Sequence, residues 1–173
     1  MFNGFWIRSI MSSVQARRTI CVPRAVWACT WSGLRSRGAG AKESAAVWAG
    51  RRGDGLEEEV EAVYFLDDYA GGEQRRGYHR VPVEALTEFF AALQQKKQVI
   101  VADIHTHPTD WVGLSALDEE NPIEFRVGLP ALVLPCFALP RPSLSISGVH
   151  IYMGNGRWRM LRDAQKERLI VFT

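Results

Sequence analysis

The stretch that decides the fold runs from Val99 to Glu120 and is VIVADIHTHPTDWVGLSALDEE. It begins with a largely apolar run rich in β-branched residues, Val99–Ile104, which predicts a buried strand. Residues two apart on a strand point to the same face, so His105 and His107 project side by side at its end. Pro108 then ends the strand, because it has no N–H to give to a ladder.

Two imidazoles on one face and a carboxylate from the following chain make three candidate metal ligands. A tetrahedral zinc with three protein ligands keeps a fourth position open for water, which is the catalytic arrangement. An isolated His-x-His pair more often caps a strand end, since histidine is commonly a partly buried polar residue. Ser115 and Asp118 make the pattern far more specific, because they complete the spacing His-x-His-x7-Ser-x2-Asp.

This spacing, with Pro108 directly after the second histidine, resembles the motif of the JAB1/MPN/Mov34 (JAMM) metalloprotease family. The resemblance implies one Zn²⁺ per chain, held by His105, His107 and Asp118, and a Ser115 hydroxyl that stabilises the oxyanion. Ser115 also fits a helix N-cap in a capping box with Asp118. Ser115 can serve both as this cap and as the oxyanion donor only if Asp118 turns to the metal instead of back to the helix. The alternative carboxylate ligands are Asp110, Glu119 and Glu120.

A second informative stretch is Glu43–Gly50, in which a glutamate opens a strand of small and apolar residues. Such a glutamate is usually a solvated strand end. JAMM enzymes carry a catalytic glutamate at the start of a small-residue strand that ends in glycine, so the resemblance implies Glu43 as general base. Glycines commonly follow that glutamate, whereas this chain has Ser44, Ala45 and Ala46, which keep the small size without the backbone freedom.

The 173 residues, 47% hydrophobic and 23% charged, suit one globular domain. No apolar run approaches the roughly eighteen residues of a membrane span. The three cysteines show no C-x-x-C spacing, which favours free thiols in a reducing cytoplasm. We therefore expect a cytoplasmic protein without a membrane partner.

The net charge of +2 conceals an asymmetry. Residues 1–42 hold seven basic residues and no acidic one, whereas the remainder is net −5. A basic N-terminus can mimic a transit peptide, or residues 1–10 can be an upstream extension of a chain that starts at Met11. We interpret residues 1–17 as a flexible arm and 18–173 as a single domain, and expect no nucleic-acid partner, because groove-reading context is missing.

Periodicity and turn residues predict the remaining elements. The predicted fold class is α/β, a mixed β-sheet flanked by helices, which matches the JAB1/MPN (cytidine-deaminase-like) fold. In the first half of the chain we expect a strand Thr19–Val22, a helix from Arg24 to about Leu34, a linker Arg35–Lys42, a turn Arg51–Gly55, a solvated charge run Glu57–Glu59 and a strand Val60–Tyr69. A loop to Gly77 and an amphipathic helix Val83–Lys96 then lead into the strand that carries the two histidines. After it we expect a strand Ala131–Ala138, a hairpin around Gly154–Gly156 and a last charged segment ending in an edge strand.

The family's enzymes cleave isopeptide or peptide bonds after the C-terminus of ubiquitin or ubiquitin-like proteins. A compact single-domain member resembles the bacterial JAB-domain branch, which accompanies activating-like and conjugating-like enzymes, including in antiphage defence. The implied partner is a ubiquitin-like protein or its conjugate. Its tail would contact Trp111 and Val112, which lie in the loop before Ser115, although the alternative role of both residues is to pack that loop. The alternatives are a non-catalytic MPN scaffold and a zinc hydrolase of small peptides or sulfur-carrier proteins.

Overall fold

The computed structural model describes residues 18–51, 57–69 and 83–173. The predicted arm 1–17 lies outside these residues, as do most of the predicted turn at 51–55 and of the loop that follows Tyr69. In chain order the elements are β1 (Thr19–Val22), α1 (Arg24–Gly38), β2 (Ala45–Gly50), β3 (Glu57–Glu59), β4 (Ala62–Phe65), α2 (Val83–Gln95), β5 (Val99–Thr106), α3 (Ala116–Glu120), β6 (Pro130–Leu134), β7 (Gly148–Gly154), β8 (Arg157–Met160), α4 (Asp163–Leu169) and β9 (Ile170–Phe172).

The main sheet has six strands among the described residues, in the order β4-β2-β5-β6-β7-β8. β5 lies inside it, antiparallel to β2 on one side and parallel to β6 on the other. The sheet is therefore mixed, and the predicted α/β class is confirmed. No helix among the described residues is long and apolar enough to cross a membrane.

The two faces of this sheet carry separate apolar clusters. Trp48, Ile104 and Leu132 are fully buried on the face that packs against α1. Phe89 of α2 packs on the other face, together with Val47. Because β5 is covered on both sides for most of its length, its side chains become accessible where the strand ends, which is where the histidines lie.

A second sheet has the order β3-β1-β9, with β1 parallel to both neighbours. It includes Glu57–Glu59, which were not predicted as a strand; the side chains of Glu57 and Glu59 are exposed, as expected for a solvated charge run, whereas Glu58 is half-buried. Backbone pairing with β1 forms this strand whatever the side chains are, and Glu58 makes an ion pair with Arg18. The segment after Leu161 contains the unpredicted helix α4 before the predicted final strand.

The boundaries of several predicted elements differ. The predicted strand Ala131–Ala138 ends at Leu134 in β6, and Cys136–Ala138 form a 3-10 helix after Pro135. α1 continues through Gly38 into the expected linker, because Arg37 pairs with Asp68 at 2.7 Å and covers the ring of Phe65. Ala39 then ends the helix in the left-handed conformation, with φ of 49°. β4 is shorter than expected, since the chain turns into a 3-10 helix at Leu66–Asp68.

Candidate metal centre

The end of β5 brings the two predicted histidines together. The Nε2 atoms of His105 and His107 are 3.2 Å apart. The backbone N–H of His107 donates to the carbonyl of Leu134 at 2.9 Å, so the residue stays in line with β6 after the strand ends. Its Nδ1 lies 3.0 Å from the carbonyl oxygen of Trp111. A carbonyl can only accept, so this bond keeps the proton on Nδ1 and leaves the Nε2 lone pair free for a cation.

Asp118 completes the group from α3. Its Oδ1 lies 3.7 Å from Nε2 of His105, and its Oδ2 lies 3.4 Å from Nε2 of His107. One ligand atom from each of the three residues falls within 4.8 Å of the others, and this is the group of metal-ligating side chains found among the described residues. Two imidazole nitrogens and one carboxylate oxygen can hold a divalent cation.

The same carboxylate caps α3. Ser115 is the N-cap, with its Oγ accepting from the N–H of Asp118 at 3.2 Å while its own N–H donates to Asp118 Oδ2 at 2.7 Å. Asp118 therefore turns back to the helix while its carboxylate also meets the histidines, two orientations that we expected to exclude each other. A carboxylate has about four lone-pair sites, so one group serves the helix and the histidines at once.

The charges within this group act on one another. Burial alone would raise the pKa of Asp118. The hydrogen bond with His107, the charge of His105 and the bonds from Ser115 together lower it by more, so the net shift is downward. Burial lowers the pKa of His107, but Asp118 and the Trp111 carbonyl raise it by more. The centre thus holds a stable negative charge between two imidazoles, which favours a cation.

Glu43 lies beside the triad but two residues before β2 rather than within it. It is half-buried and lines the same cavity as His105 and Asp118. Burial raises the pKa of Glu43, His107 lowers it and Asp118 raises it, with a net upward shift. A carboxyl group with a raised pKa next to a cation site is suited to taking up and returning a proton.

The loop between the histidines and Ser115 is held from two sides. The ring of Trp111 stacks on His107, with centroids 5.1 Å apart and planes 16° apart, and 53% of Trp111 stays exposed. The carbonyl of Val112 accepts from His150 Nε2 at 2.8 Å. A Cβ added at Gly148 would lie only 2.1 Å from this carbonyl oxygen, so only glycine fits at position 148. His150 thus holds this loop against β7, and Val112 serves the loop through its backbone.

A cavity of about 340 Å³ adjoins the triad on the same face of the sheet. Four carboxylates line it, among apolar side chains from α2, α3 and the following loop: Glu43, Asp103, Asp118 and Glu120. Of the alternative ligands, Glu120 reaches this cavity, whereas Asp110 and Glu119 do not line it.

Asp103 is the residue that the sequence reasoning missed. It lies two positions before His105 on β5 and so points to the same face. Burial and, to a smaller extent, the charge of Asp118 raise its pKa, the backbone N–H groups of Ile123 and Ile104 lower it, and the net effect is a rise from 3.8 to about 7. The sequence signal that could have identified it is a charged residue inside an apolar run, two positions before His105 and therefore on the same face of the strand.

The sequence matches no family model. The fold resembles two solution structures: a protein from Desulfitobacterium hafniense, with a TM-score of 0.61 and 18% identity over 90% of this chain and 93% of that one, and a protein from Salinibacter ruber, with a TM-score of 0.54 and 16% identity over 83% and 89%. At these identities the likeness concerns the fold alone.

Proposed function

We propose that this chain is a zinc-dependent peptidase of the JAMM type, which hydrolyses the bond after the C-terminus of a ubiquitin-like protein. The observation that carries the proposal is the spacing of the ligand atoms of His105, His107 and Asp118, with Glu43 beside them. The resemblance of the motif supplies the substrate class, and its bacterial branch suggests activating-like and conjugating-like partners.

The donor geometry supports zinc. Nitrogen and oxygen ligands about 2.0–2.1 Å from a tetrahedral zinc lie roughly 3.3 Å from one another. The two Nε2 atoms are 3.2 Å apart, Asp118 Oδ1 lies 3.7 Å from Nε2 of His105, and Asp118 Oδ2 lies 3.4 Å from Nε2 of His107, so each imidazole has a carboxylate oxygen near this separation. A zinc ion held by these residues supplies a Lewis acid for the scissile carbonyl and lowers the pKa of water.

The chain's own residues divide the proton and charge chemistry between them. Glu43 takes the proton of the attacking water and returns it to the leaving amine. The oxygen of the Ser115 hydroxyl accepts from the Asp118 N–H, and the hydroxyl also bonds to the Asp118 carboxylate, so it has to rotate its hydrogen away from that carboxylate to donate elsewhere. A hydroxyl group accepts and donates at once, so Ser115 caps α3 and donates to the developing oxyanion.

The position of β4 supports an extended substrate tail. β4 pairs with β2 and ends at Phe65, opposite Ala46, close to Glu43. The next residue, Leu66, lines the cavity. A tail that pairs along β4 in the manner of an added strand would therefore reach the centre, with main-chain hydrogen bonds giving affinity.

Two other functions remain as candidates. A non-catalytic scaffold has no use for a complete ligand set with a half-buried carboxyl beside it, so it is disfavoured. A zinc hydrolase of small peptides or sulfur-carrier proteins is favoured by one observation, since a cavity of about 340 Å³ suits a single residue rather than a folded domain.

The test compares wild type, Glu43→Gln and Glu119→Gln. Each is analysed for bound zinc by mass spectrometry and for cleavage of a ubiquitin-like fusion and of denatured casein, with and without a chelator. We expect one zinc per chain in all three and chelator-sensitive release of the intact ubiquitin-like protein by wild type and Glu119→Gln, but not by Glu43→Gln. Cleavage of casein at many sites, or turnover of dipeptides alone, would contradict the proposal.

A further inference from the structure

We infer that the cavity beside the triad is the subsite for the residue that follows the scissile bond, and that it selects a lysine-type ammonium side chain through the carboxylate of Asp103. This inference rests on the proposed function, because it assigns the leaving-group side of the same centre. It adds a specificity-determining residue outside the metal motif.

The first step is the position of Asp103 relative to the metal ligands. Asp103 and His105 lie on one face of β5, about 7 Å apart along the strand. Both line the cavity, as does Ala131 of β6, which pairs with Asp103. The cavity therefore extends from the reaction centre back along the strand, and Asp103 lies at a side chain's length from the bond that is cut.

The second step is the composition of the walls. Apolar side chains line the cavity on the side of the helices and the following loop: Leu66, Leu86, Leu114, Leu117, Ile123 and Phe125. Among the described residues that line it, none is Lys or Arg. A lysine side chain combines four methylene groups with a terminal ammonium, so its stem matches these walls and its head matches Asp103.

The third step decides which part of the substrate enters. Hydrolysis leaves a new carboxylate on the ubiquitin-like protein and a new amine on the other product. Four carboxylates line the cavity, and none of its described lining residues is Lys or Arg. Away from the zinc, the walls therefore offer partners for a cation but none for the carboxylate product. The cavity thus belongs to the leaving-group side.

The experiment uses zinc-loaded protein and ubiquitin-like fusions that differ only in the residue after the scissile bond, which is Lys, Met or Glu. We expect kcat/KM for Lys to exceed that for Met by about tenfold or more, the size of one hydrogen bond to a charged group, with Glu the slowest. Asp103→Asn should reduce the Lys-to-Met ratio to near one. Leu117→Lys, at a position 47% exposed on the cavity wall, should reduce it too, since it supplies a competing cation without altering the core.

The matched control is Glu84→Gln. Glu84 is an exposed carboxylate next to Val83, which lines the cavity, but Glu84 itself does not. Its removal should leave the ratio unchanged. A wild-type enzyme that cuts the Lys and Met fusions equally well would overturn the inference while the proposed peptidase activity stood.

A second measurement does not depend on turnover. Backbone amide signals of Ile123 and Ala131 are followed by NMR while N-acetyl-lysine amide or its uncharged analogue N-acetyl-norleucine amide is added. We expect saturable shifts with the lysine probe alone, and their loss in Asp103→Asn. If no fusion is cut but this selectivity is seen, the peptidase proposal fails and the subsite remains; equal or absent responses to both probes would overturn the subsite.

Discussion

Thr106, between the two histidines, is bonded through both its backbone and its side chain to Ser44, the residue after Glu43. Its Oγ1 accepts from the N–H of Ser44 at 3.0 Å, and its own N–H donates to the carbonyl of Ser44 at 3.0 Å. Both residues are fully buried. The pair therefore fixes the general base candidate relative to the metal ligands across two neighbouring strands.

Thr106→Val should separate the base from the metal centre. Valine keeps the shape but leaves the buried N–H of Ser44 without its acceptor, which costs about 1–3 kcal/mol. We expect one bound zinc, a lower melting temperature and a fall in kcat of at least about tenfold, because Glu43 is no longer held in place. Zinc analysis, thermal unfolding and kinetics of fusion cleavage measure the three effects.

Two variants serve as references for Thr106→Val. Thr106→Ser restores the acceptor and should recover most of kcat. Thr87→Val changes an exposed threonine of α2 and should leave kcat as in wild type. An unchanged kcat in Thr106→Val, beside the expected loss of stability, would show that the pair supports only the fold.

β5 and the candidate ligands at its end were predictable because their signals are local. Strand periodicity, the terminal Pro108 and the capping pattern of Ser115 and Asp118 all lie within one stretch of sequence. The contact of Ser44 with Thr106 joins residues 62 apart and depends on the register between β2 and β5, which no local pattern gives. The cavity was hidden for the same reason, since its walls come from several elements.

Other residues show where local patterns mislead. Glu57–Glu59 became a strand because β1 offered a free backbone edge, although three successive glutamates are poor strand formers. α4 has seven residues, too few for periodicity to reveal. Asp103 was visible as a charge in an apolar run, but only the fold places it beside the triad.

Ser115→Gly tests the second role of the N-cap serine. Glycine is a fair N-cap and costs only a few tenths of a kcal/mol relative to serine, but it has no hydroxyl to donate. We therefore expect nearly unchanged thermal stability and zinc content with kcat lower by about 10²-fold, the effect of removing one oxyanion donor. Stability and kcat falling together by small amounts would instead assign Ser115 to capping α3 alone.

The last prediction concerns the pH dependence of stability at Asp103. The pKa of Asp103 is raised from 3.8 to about 7 because the carboxyl is desolvated, so the folded chain holds a proton that the unfolded chain releases. Its contribution to the free energy of unfolding is thus fully present below about pH 4 and declines as pH rises to about 7. Asp103→Asn cannot titrate and lacks this decline.

Denaturant unfolding of both proteins from pH 5 to 8, at fixed zinc, should show the free energy of unfolding of the variant rising relative to that of wild type as pH rises. The gain should reach roughly 1–3 kcal/mol and level off above pH 7. The exposed carboxylate of Asp110 provides the matched control, because Asp110→Asn should follow wild type at every pH. A difference between Asp103→Asn and wild type that stays constant with pH would mean that this carboxyl is charged in the folded protein throughout the range.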